Sequence, residues 1–159
     1  MFNELEFWKL CFLIDYFVKI RELIRKSMSK PVEIDSSIRT VEWKDNKVIM
    51  IEQTKLPNEL IFVEYDDFNQ VANAIKTLIV RGAPAIGVSG AFGLGLAVLQ
   101  SKATTKDDLL SDLEDARKIL FATRPTAVNL GWGLDKIMSI AKTGETVEQI
   151  RELVISTAK

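Results

Sequence analysis

The chain has 159 residues, of which 47% are hydrophobic and 27% are charged, and its formal net charge is −1. This is enough chain for one domain with a hydrophobic core. It contains no histidine and one cysteine, Cys11, which excludes an intrachain disulfide, a cysteine zinc site, and a Ser-His-Asp or Cys-His mechanism built from this chain alone.

The charge balance and the start of the chain also bear on its partners. Nucleic-acid backbones require a clustered excess of Lys and Arg, so we expect no nucleic-acid partner, although a small anion site is compatible with the composition. The single cysteine fits a reducing compartment, and the acidic residues Glu4 and Glu6 do not fit the basic start of a signal peptide. We therefore expect a cytoplasmic protein.

The first part of the chain predicts an amphipathic helix over residues 1–27. A polar stripe begins with Asp15 and Lys19 and repeats at helical spacing opposite a broad apolar side. Residues 28–37 contain Pro31 and several serines and are predicted to be a linker.

The remainder, residues 38–159, is predicted to be an α+β domain that opens with a small antiparallel sheet of about three strands. Short β-branched runs alternate with residues typical of turns, and Asp45-Asn46 has the chemistry of a tight hairpin turn. The predicted strands cover residues 38–43, 48–53 and 60–65.

From residue 67 onward the apolar residues recur with a period of 3.6, which predicts a helical bundle. The apolar face of the first helix is predicted to extend to Leu78 and Ile79, and Gly144 is predicted to end the fourth helix. Five helices are predicted to begin near capping or first-turn residues, which are Asp67, Pro84, Thr105, Asn129 and Thr146.

Residues 82–101 form the longest stretch of the sequence without a charged residue. Its length permits a membrane span, but its five glycines favour a helix buried in a protein core. Ala83, Gly87, Ala91 and Gly95 recur every four residues, so another chain segment could pack closely against that side. A dinucleotide-binding fingerprint is the alternative, but no strand precedes these glycines and their spacing is reversed.

The segment RGAPAIG at residues 81–87 is the first candidate for chemistry. Pro84 suits a first helical turn, and Gly82 can adopt positive φ and allow a ligand close to the backbone. Free N–H groups at a helix start, together with Arg81, form a suitable site for phosphate. The alternative is a simple turn between helices with an exposed arginine.

The segment RPTAVNL at residues 124–130 is the second candidate. Arg124 precedes Pro125, so it should lie at a bend outside a helix, and Asn129 can cap the helix that follows. Arg124 could reach the same anion as Arg81, or it could be a surface arginine beside a turn. Two other features are interpreted structurally: Trp43 and Trp132 as core or interface side chains, and Cys11 as a packed thiol.

From about residue 37 to the end, the order and spacing of these segments resemble the methylthioribose-1-phosphate isomerase family. The matching segments are IRTVEW at residues 38–43, IEQTKLP at 51–57, RGAPAIG at 81–87 and RPTAVNL at 124–130. The wider family also contains ribose-1,5-bisphosphate isomerases and regulatory subunits of the translation-initiation guanine-nucleotide exchange factor. An isomerase of a related ribose phosphate and a non-catalytic interaction module are therefore alternatives.

The resemblance implies an aldose–ketose isomerase of methionine salvage that converts 5-methylthioribose 1-phosphate into 5-methylthioribulose 1-phosphate without a metal or nucleotide cofactor. It implies that Arg81, the backbone of Gly82 and Ala83, and Arg124 hold the phosphate of a small sugar phosphate.

In the family, a catalytic cysteine and aspartate belong to a Rossmann-like second half, which also forms the homodimer. The sequence ends at Lys159, so we expect that second domain to be absent, no catalytic residue in this chain, and either the missing second half or a family homodimer as partner. Residues 1–27 lie outside the resemblance, and Met28 would be a natural start. No membrane partner is expected.

Overall fold

The structure is a computed structural model that describes residues 38–159, and Arg39–Lys159 forms one compact unit. The predicted helix over residues 1–27, the predicted linker over residues 28–37 and Cys11 lie outside the described residues. A three-stranded sheet is followed by helices, which confirms the predicted α+β class. The elements are β1 (Val41–Lys44), β2 (Lys47–Ile51), β3 (Phe62–Tyr65), α1 (Phe68–Lys76), α2 (Ala83–Gln100), α3 (Lys106–Thr123), α4 (Val128–Ala141) and α5 (Val147–Ala158).

The sheet is the predicted antiparallel meander, in the order β1-β2-β3. Asp45 and Asn46 both have positive φ, at 51° and 59°, as the two central residues of a tight hairpin turn require. The strands are shorter than predicted. Hydrogen bonds nevertheless continue past the ladder, since the amide of Glu52 donates to the carbonyl of Ile61 at 2.9 Å.

Helix α2 is the centre of the bundle. It packs against the other four helices and against β1 and β2. Among the described residues, α2 is the one helix that is long enough and apolar enough to cross a membrane. However, 61% of that stretch is buried inside the fold. This burial favours the core-helix interpretation of residues 82–101, and the glycines at 90, 93 and 95 lie buried within the helix rather than in a loop that could hold a dinucleotide.

Three of the described helices have side-chain caps at their N-termini, as predicted. Asp67 accepts a hydrogen bond from the amide of Asn69 at the start of α1. Thr105 and Thr146 accept from the amides three residues later, at the starts of α3 and α5. Each cap satisfies a backbone donor that the helix itself cannot satisfy.

Helices α2 and α4 differ from these three because their N-caps, Gly82 and Ala127, make no side-chain capping hydrogen bond. The prediction that Asn129 caps α4 is wrong. The preceding turn places Ala127 at the cap, since the amide of Ala127 donates to the carbonyl of Arg124 at 2.9 Å. Asn129 therefore lies inside the first turn of α4.

Two predicted helix ends are also wrong. Helix α1 ends at Lys76, and Leu78 follows it with a φ of 62° and 41% exposure, so Leu78 is not part of the apolar face. Helix α4 ends at Ala141 with Lys142 as its C-cap. Gly144 has a packing role instead, because a Cβ there would lie 2.6 Å from the side chain of Ile150.

The small residues along α2 confirm the packing interpretation of that stripe. A Cβ on Gly87 would lie 2.8 Å from the carbonyl oxygen of Asn129, and a Cβ on Gly133 would lie 2.6 Å from the carbonyl oxygen of Gly87. The backbones of α2 and α4 are therefore in direct contact. Farther along α2, Gly95 makes room for the ring of Trp43.

Candidate phosphate-binding site

The start of α2 is exposed and has unused backbone donors. Gly82 has a φ of 96°, and nothing lies within 4 Å of the position that a Cβ would occupy. The amide of Ile86 donates to the carbonyl of Gly82 at 3.0 Å, which is the first hydrogen bond of the helix. The N–H groups of Gly82, Ala83 and Ala85 have no acceptor among the described residues. Such a helix start attracts an anion through these donors and through the partial positive charge of the helix.

Arg81 lies at this helix start and is held against the end of strand β2. Its guanidinium Nη2 donates to the carbonyl oxygen of Gln53 at 3.1 Å. The amide of Gln53 donates to the carbonyl of Ile79 at 2.9 Å, and its side-chain Nε2 donates to the carbonyl of Arg81 at 3.4 Å. Arg81 is exposed and forms no ion pair with another residue of the range 38–159.

Arg124 lies at the bend between α3 and α4, as predicted. It is the C-cap of α3, with φ −152° and ψ 75°, outside the helical region because Pro125 disfavours a helical conformation for the residue before it. The side chain is partly buried and makes no ion pair within the described part of the chain.

The fold brings the two candidate segments to neighbouring helix starts. Gly87, which contacts Asn129, is one turn, or about 6 Å of helix rise, beyond Ala83 at the start of α2. Asn129 is the second residue of α4. The contact therefore places the starts of the two uncapped helices at the same end of the bundle.

The other arginines of the bundle show how a structural arginine is used in this fold. The Nε of Arg117 donates to a carboxylate oxygen of Asp135 at 3.0 Å, and this hydrogen bond raises the pKa of Arg117. Arg151 donates to the carbonyls of Val98 and Ser101, both at 2.8 Å. Arg81 and Arg124, like Arg151, have no carboxylate partner among the described residues. They differ from Arg151 in position, because each lies just before a helix whose N-cap makes no side-chain hydrogen bond.

The chemical capacity of this arrangement is anion binding. Backbone N–H groups and guanidinium groups are donors without acceptors, so they match a phosphate dianion. Within residues 38–159 there is no group of three or more His, Cys, Asp or Glu side chains that could hold a metal ion.

The two tryptophans that the sequence placed in a core or an interface have different environments. Trp43 packs against Phe92, with ring centroids 5.7 Å apart, and against Gly95, so the core interpretation is confirmed for it. Trp132 is 67% exposed next to the 82% exposed Val128, so it is not a core side chain. Its ring lies 5.3 Å from the ammonium group of Lys136.

Gln53 contacts Arg81 at the candidate site, and the sequence patterns did not single it out. It lies 28 positions before Arg81, and no local periodicity relates residues at such a distance. The only indication was that the segment at residues 51–57 is one of the segments that carry the family resemblance.

An α+β domain with two neighbouring uncapped helix starts, each preceded by an arginine without an ion pair among the described residues, has the donors to bind an anion. Comparisons with known proteins show which family has this fold. Residues 79–159 match the Initiation factor 2 subunit family. The chain therefore belongs to this family.

Relatives in this family are similar to most of the chain. It is 44% identical over 124 residues to the methylthioribose-1-phosphate isomerase of Geobacter metallireducens, covering 77% of this chain and 36% of that relative. It is 45% identical over 122 residues to the enzyme of the same name from Trichodesmium erythraeum, covering 76% and 35%. The chain thus spans about a third of the length of the curated relatives it matches.

Two solved structures share the fold at 41% sequence identity. The 5-methylthioribose 1-phosphate isomerase from Pyrococcus horikoshii superposes with a TM-score of 0.74, over 82% of this chain and 37% of that chain. The translation initiation factor eIF-2B subunit delta from A. fulgidus superposes with a TM-score of 0.72, over 77% and 36%. The match to both confirms the predicted family resemblance.

Proposed function

We propose that this chain is the N-terminal, phosphate-binding part of an aldose–ketose isomerase that converts 5-methylthioribose 1-phosphate into 5-methylthioribulose 1-phosphate in methionine salvage. The observation that carries the proposal is the exposed start of α2, where positive φ at Gly82 accompanies unpaired backbone donors beside an unpaired Arg81. The names of the relatives at 44% and 45% identity support the choice of substrate.

In this proposal the phosphate lies at the start of α2. The N–H groups of Gly82 and Ala83 donate to its oxygens, while Arg81 and Arg124 supply the two positive charges. A contact of this kind contributes about 1 kcal/mol when it is exposed to water. It contributes more where water is excluded, because the effective dielectric constant is lower there.

These contacts explain binding and do not explain rate. Binding the substrate phosphate equally well in the ground state and in the transition state does not accelerate the isomerisation. Isomerisation requires a group that moves a proton or hydride between neighbouring carbons and an acid that opens the ring. We assign no catalytic residue to this chain, and we place the catalytic cysteine and aspartate in the part of the longer relatives that it does not span.

Calorimetry with ribose 1-phosphate tests the site. We expect the 159-residue chain to bind, and Arg81→Met and Arg124→Met each to lower the affinity roughly ten-fold, because each removes a charge-assisted hydrogen bond. Lys102→Met is the control, since it removes one positive charge beyond the opposite end of α2. Equal affinity in all four proteins would overturn the proposed site.

An isomerase assay tests the division between binding and chemistry. We expect no turnover above blank from the purified chain, because none of its described residues is assigned to proton or hydride transfer. Turnover by the chain alone would contradict the assignment of the catalytic groups to another part of the enzyme.

The same proposal leads to expectations about the cellular location, cofactors and partners of the protein. We expect a cytoplasmic enzyme that works without a metal or nucleotide cofactor, with a small sugar phosphate as ligand and with a C-terminal half or a second subunit as protein partner. No nucleic acid and no membrane takes part. A non-catalytic regulatory module remains the second candidate, supported by the likeness to the eIF-2B subunit delta structure; it would bind the sugar phosphate without contributing to turnover in any assembly.

A further inference from the structure

Three hydrogen bonds join Gln53 to the segment that leads into α2. Its backbone amide donates to the carbonyl of Ile79 at 2.9 Å, and its backbone carbonyl accepts from Arg81 Nη2 at 3.1 Å. Its side-chain Nε2 donates to the backbone carbonyl of Arg81 at 3.4 Å. Only the third bond depends on the identity of residue 53, because the first two use backbone atoms.

The third bond is long and exposed, and it favours one direction of the peptide unit between Arg81 and Gly82. In a trans peptide the C=O and the N–H point in opposite directions. The carbonyl of Arg81 is directed at Gln53, so the N–H of Gly82 is directed away from Gln53. No described residue accepts that N–H, and the space next to Gly82 is open.

Glycine makes this restraint necessary. The φ of 96° at Gly82 lies where a residue without a Cβ has broad freedom, so neither steric contact nor helical hydrogen bonding holds the preceding peptide in one orientation. A side-chain hydrogen bond to the Arg81 carbonyl limits that freedom before the ligand arrives.

We propose that the side-chain amide of Gln53 is a positioning residue for the phosphate site. It orients the Arg81–Gly82 peptide so that the Gly82 N–H faces the anion. This inference rests on the proposed function, since it assigns a role within the same site. Gln53 does not touch the phosphate and acts only through Arg81 and Gly82.

Residue 53 must be a neutral donor in this role. Methionine has a similar length and no donor, so Gln53→Met removes the restraint and leaves both backbone bonds in place. Glutamate is nearly isosteric, but as a carboxylate it is acceptor-only. It repels the Arg81 carbonyl and places a negative charge beside the anion, so Gln53→Glu should have the larger effect.

The matched control is Gln100→Met. The Nε2 of Gln100 donates to the backbone carbonyl of Asp66 at 3.2 Å, which is the same type of bond. Gln100 is the last residue of α2, about 27 Å along the helix from its start. Both methionine variants lose one bond between a side-chain amide and a backbone carbonyl, and only one of those bonds is at the phosphate site.

The experiment compares ribose 1-phosphate binding by calorimetry and thermal unfolding for the 159-residue chain and four variants, Gln53→Met, Gln53→Glu, Gln100→Met and Arg81→Met. We expect Gln53→Met to weaken binding about five-fold, as the loss of one positioned hydrogen bond does, and Gln53→Glu to weaken it further. Gln100→Met should bind like the unmodified chain. Gln53→Met and Gln100→Met should unfold within a degree or so of each other, because they lose equivalent bonds.

The outcomes separate this inference from the proposed function. Binding that falls in Arg81→Met but is unchanged in Gln53→Met overturns the positioning role and leaves the phosphate site intact. Binding that is absent, or equal in Arg81→Met and the unmodified chain, overturns the proposed site and the role of Gln53 with it. A Gln53→Met variant that loses affinity only in proportion to a lower unfolding temperature also overturns the role, because general destabilisation then explains the loss.

Discussion

The two ends of the central helix α2 are treated in opposite ways. At its C-terminal end, Arg151 reaches back from α5 and donates to the carbonyls of Val98 and Ser101, where a positive charge also complements the helix dipole. At its N-terminal end, no side chain caps Gly82 and the first turn contains no acidic residue. The first end is satisfied by the fold itself, while the second has donors available for a ligand.

The same distinction separates the five described helices. Those that begin after Asp67, Thr105 and Thr146 are capped from within the chain. The two that are uncapped, α2 and α4, cross next to their starts, and each follows a segment that contains an unpaired arginine. The donors at such a helix start are satisfied by water or by a ligand, and in the proposed function a ligand takes this place at the end of the bundle where the two starts meet.

We expect the largest change in stability from a substitution where α2 and α4 cross, since this contact brings their two uncapped starts together. Gly133→Ala would place a Cβ 2.6 Å from the backbone oxygen of Gly87, and a backbone atom cannot rotate away. We expect the free energy of unfolding to fall by about 3 kcal/mol, at the upper end of ordinary overpacking, as measured by urea denaturation.

The control for that change lies two residues away. A Cβ on Gly131 would lie 3.3 Å from the ring of Phe121, which can shift, and alanine is the better helix former by about 1 kcal/mol. Gly131→Ala should therefore be nearly neutral. Equal destabilisation by both changes would show that backbone contact at the crossing is not the cause.

At the C-terminal end of α2, Arg151→Met should lower the stability of the protein without changing its affinity for the ligand. The change leaves two carbonyls without their charged donor, so we expect a loss of about 2 kcal/mol in urea denaturation and unchanged affinity for ribose 1-phosphate. Arg117→Met is the comparison, because its partner Asp135 is 63% exposed and such pairs contribute less than about 1 kcal/mol. A drop in affinity in Arg151→Met would contradict the separation of the two ends.

At the N-terminal end of α2, Gly82→Ala should lower both the stability of the protein and its affinity for the ligand. There is space for the methyl group, so the cost is the positive φ alone, about 1.5 kcal/mol for a strained non-glycine residue. Relaxing that φ redirects the neighbouring amides, so affinity for ribose 1-phosphate should also fall. Calorimetry and urea denaturation on one preparation check both effects, and a fully stable variant with lower affinity would locate the effect in the ligand contact instead.

We expect the smallest change in stability from adding a side-chain cap to the N-terminus of α4. Ala127 has the extended backbone typical of an N-cap, with φ −80° and ψ 94°, so Ala127→Asp can supply the missing acceptor to α4. We expect a gain of about 0.5–1 kcal/mol in the free energy of unfolding. The added carboxylate competes with an anion, so phosphate affinity should decrease. An increase in both stability and affinity would argue that α4 takes no part in the site.

Local patterns predicted the parts of this fold that depend on neighbours in the sequence. The caps at Thr105 and Thr146 use an amide three residues away, and the turn at Asp45-Asn46 spans only its own hairpin. The bend at Arg124 follows from the ring of Pro125. The predictions that failed were Asn129 as a cap, Gly144 as a helix end and Leu78 as part of the first apolar face. All three concern helix boundaries, where a turn or a packed neighbour outweighed the local preference.

By itself, the sequence determined the order of elements, the α+β class and the two arginine-containing segments, because hydrophobic period, capping and turn chemistry act over a few residues. Tertiary structure decided that the starts of α2 and α4 are neighbours, that Arg151 serves a helix about 50 residues earlier, and that Gln53 holds the Arg81 peptide. Those contacts join distant residues, and their geometry depends on how helices and strands pack, which no local pattern specifies.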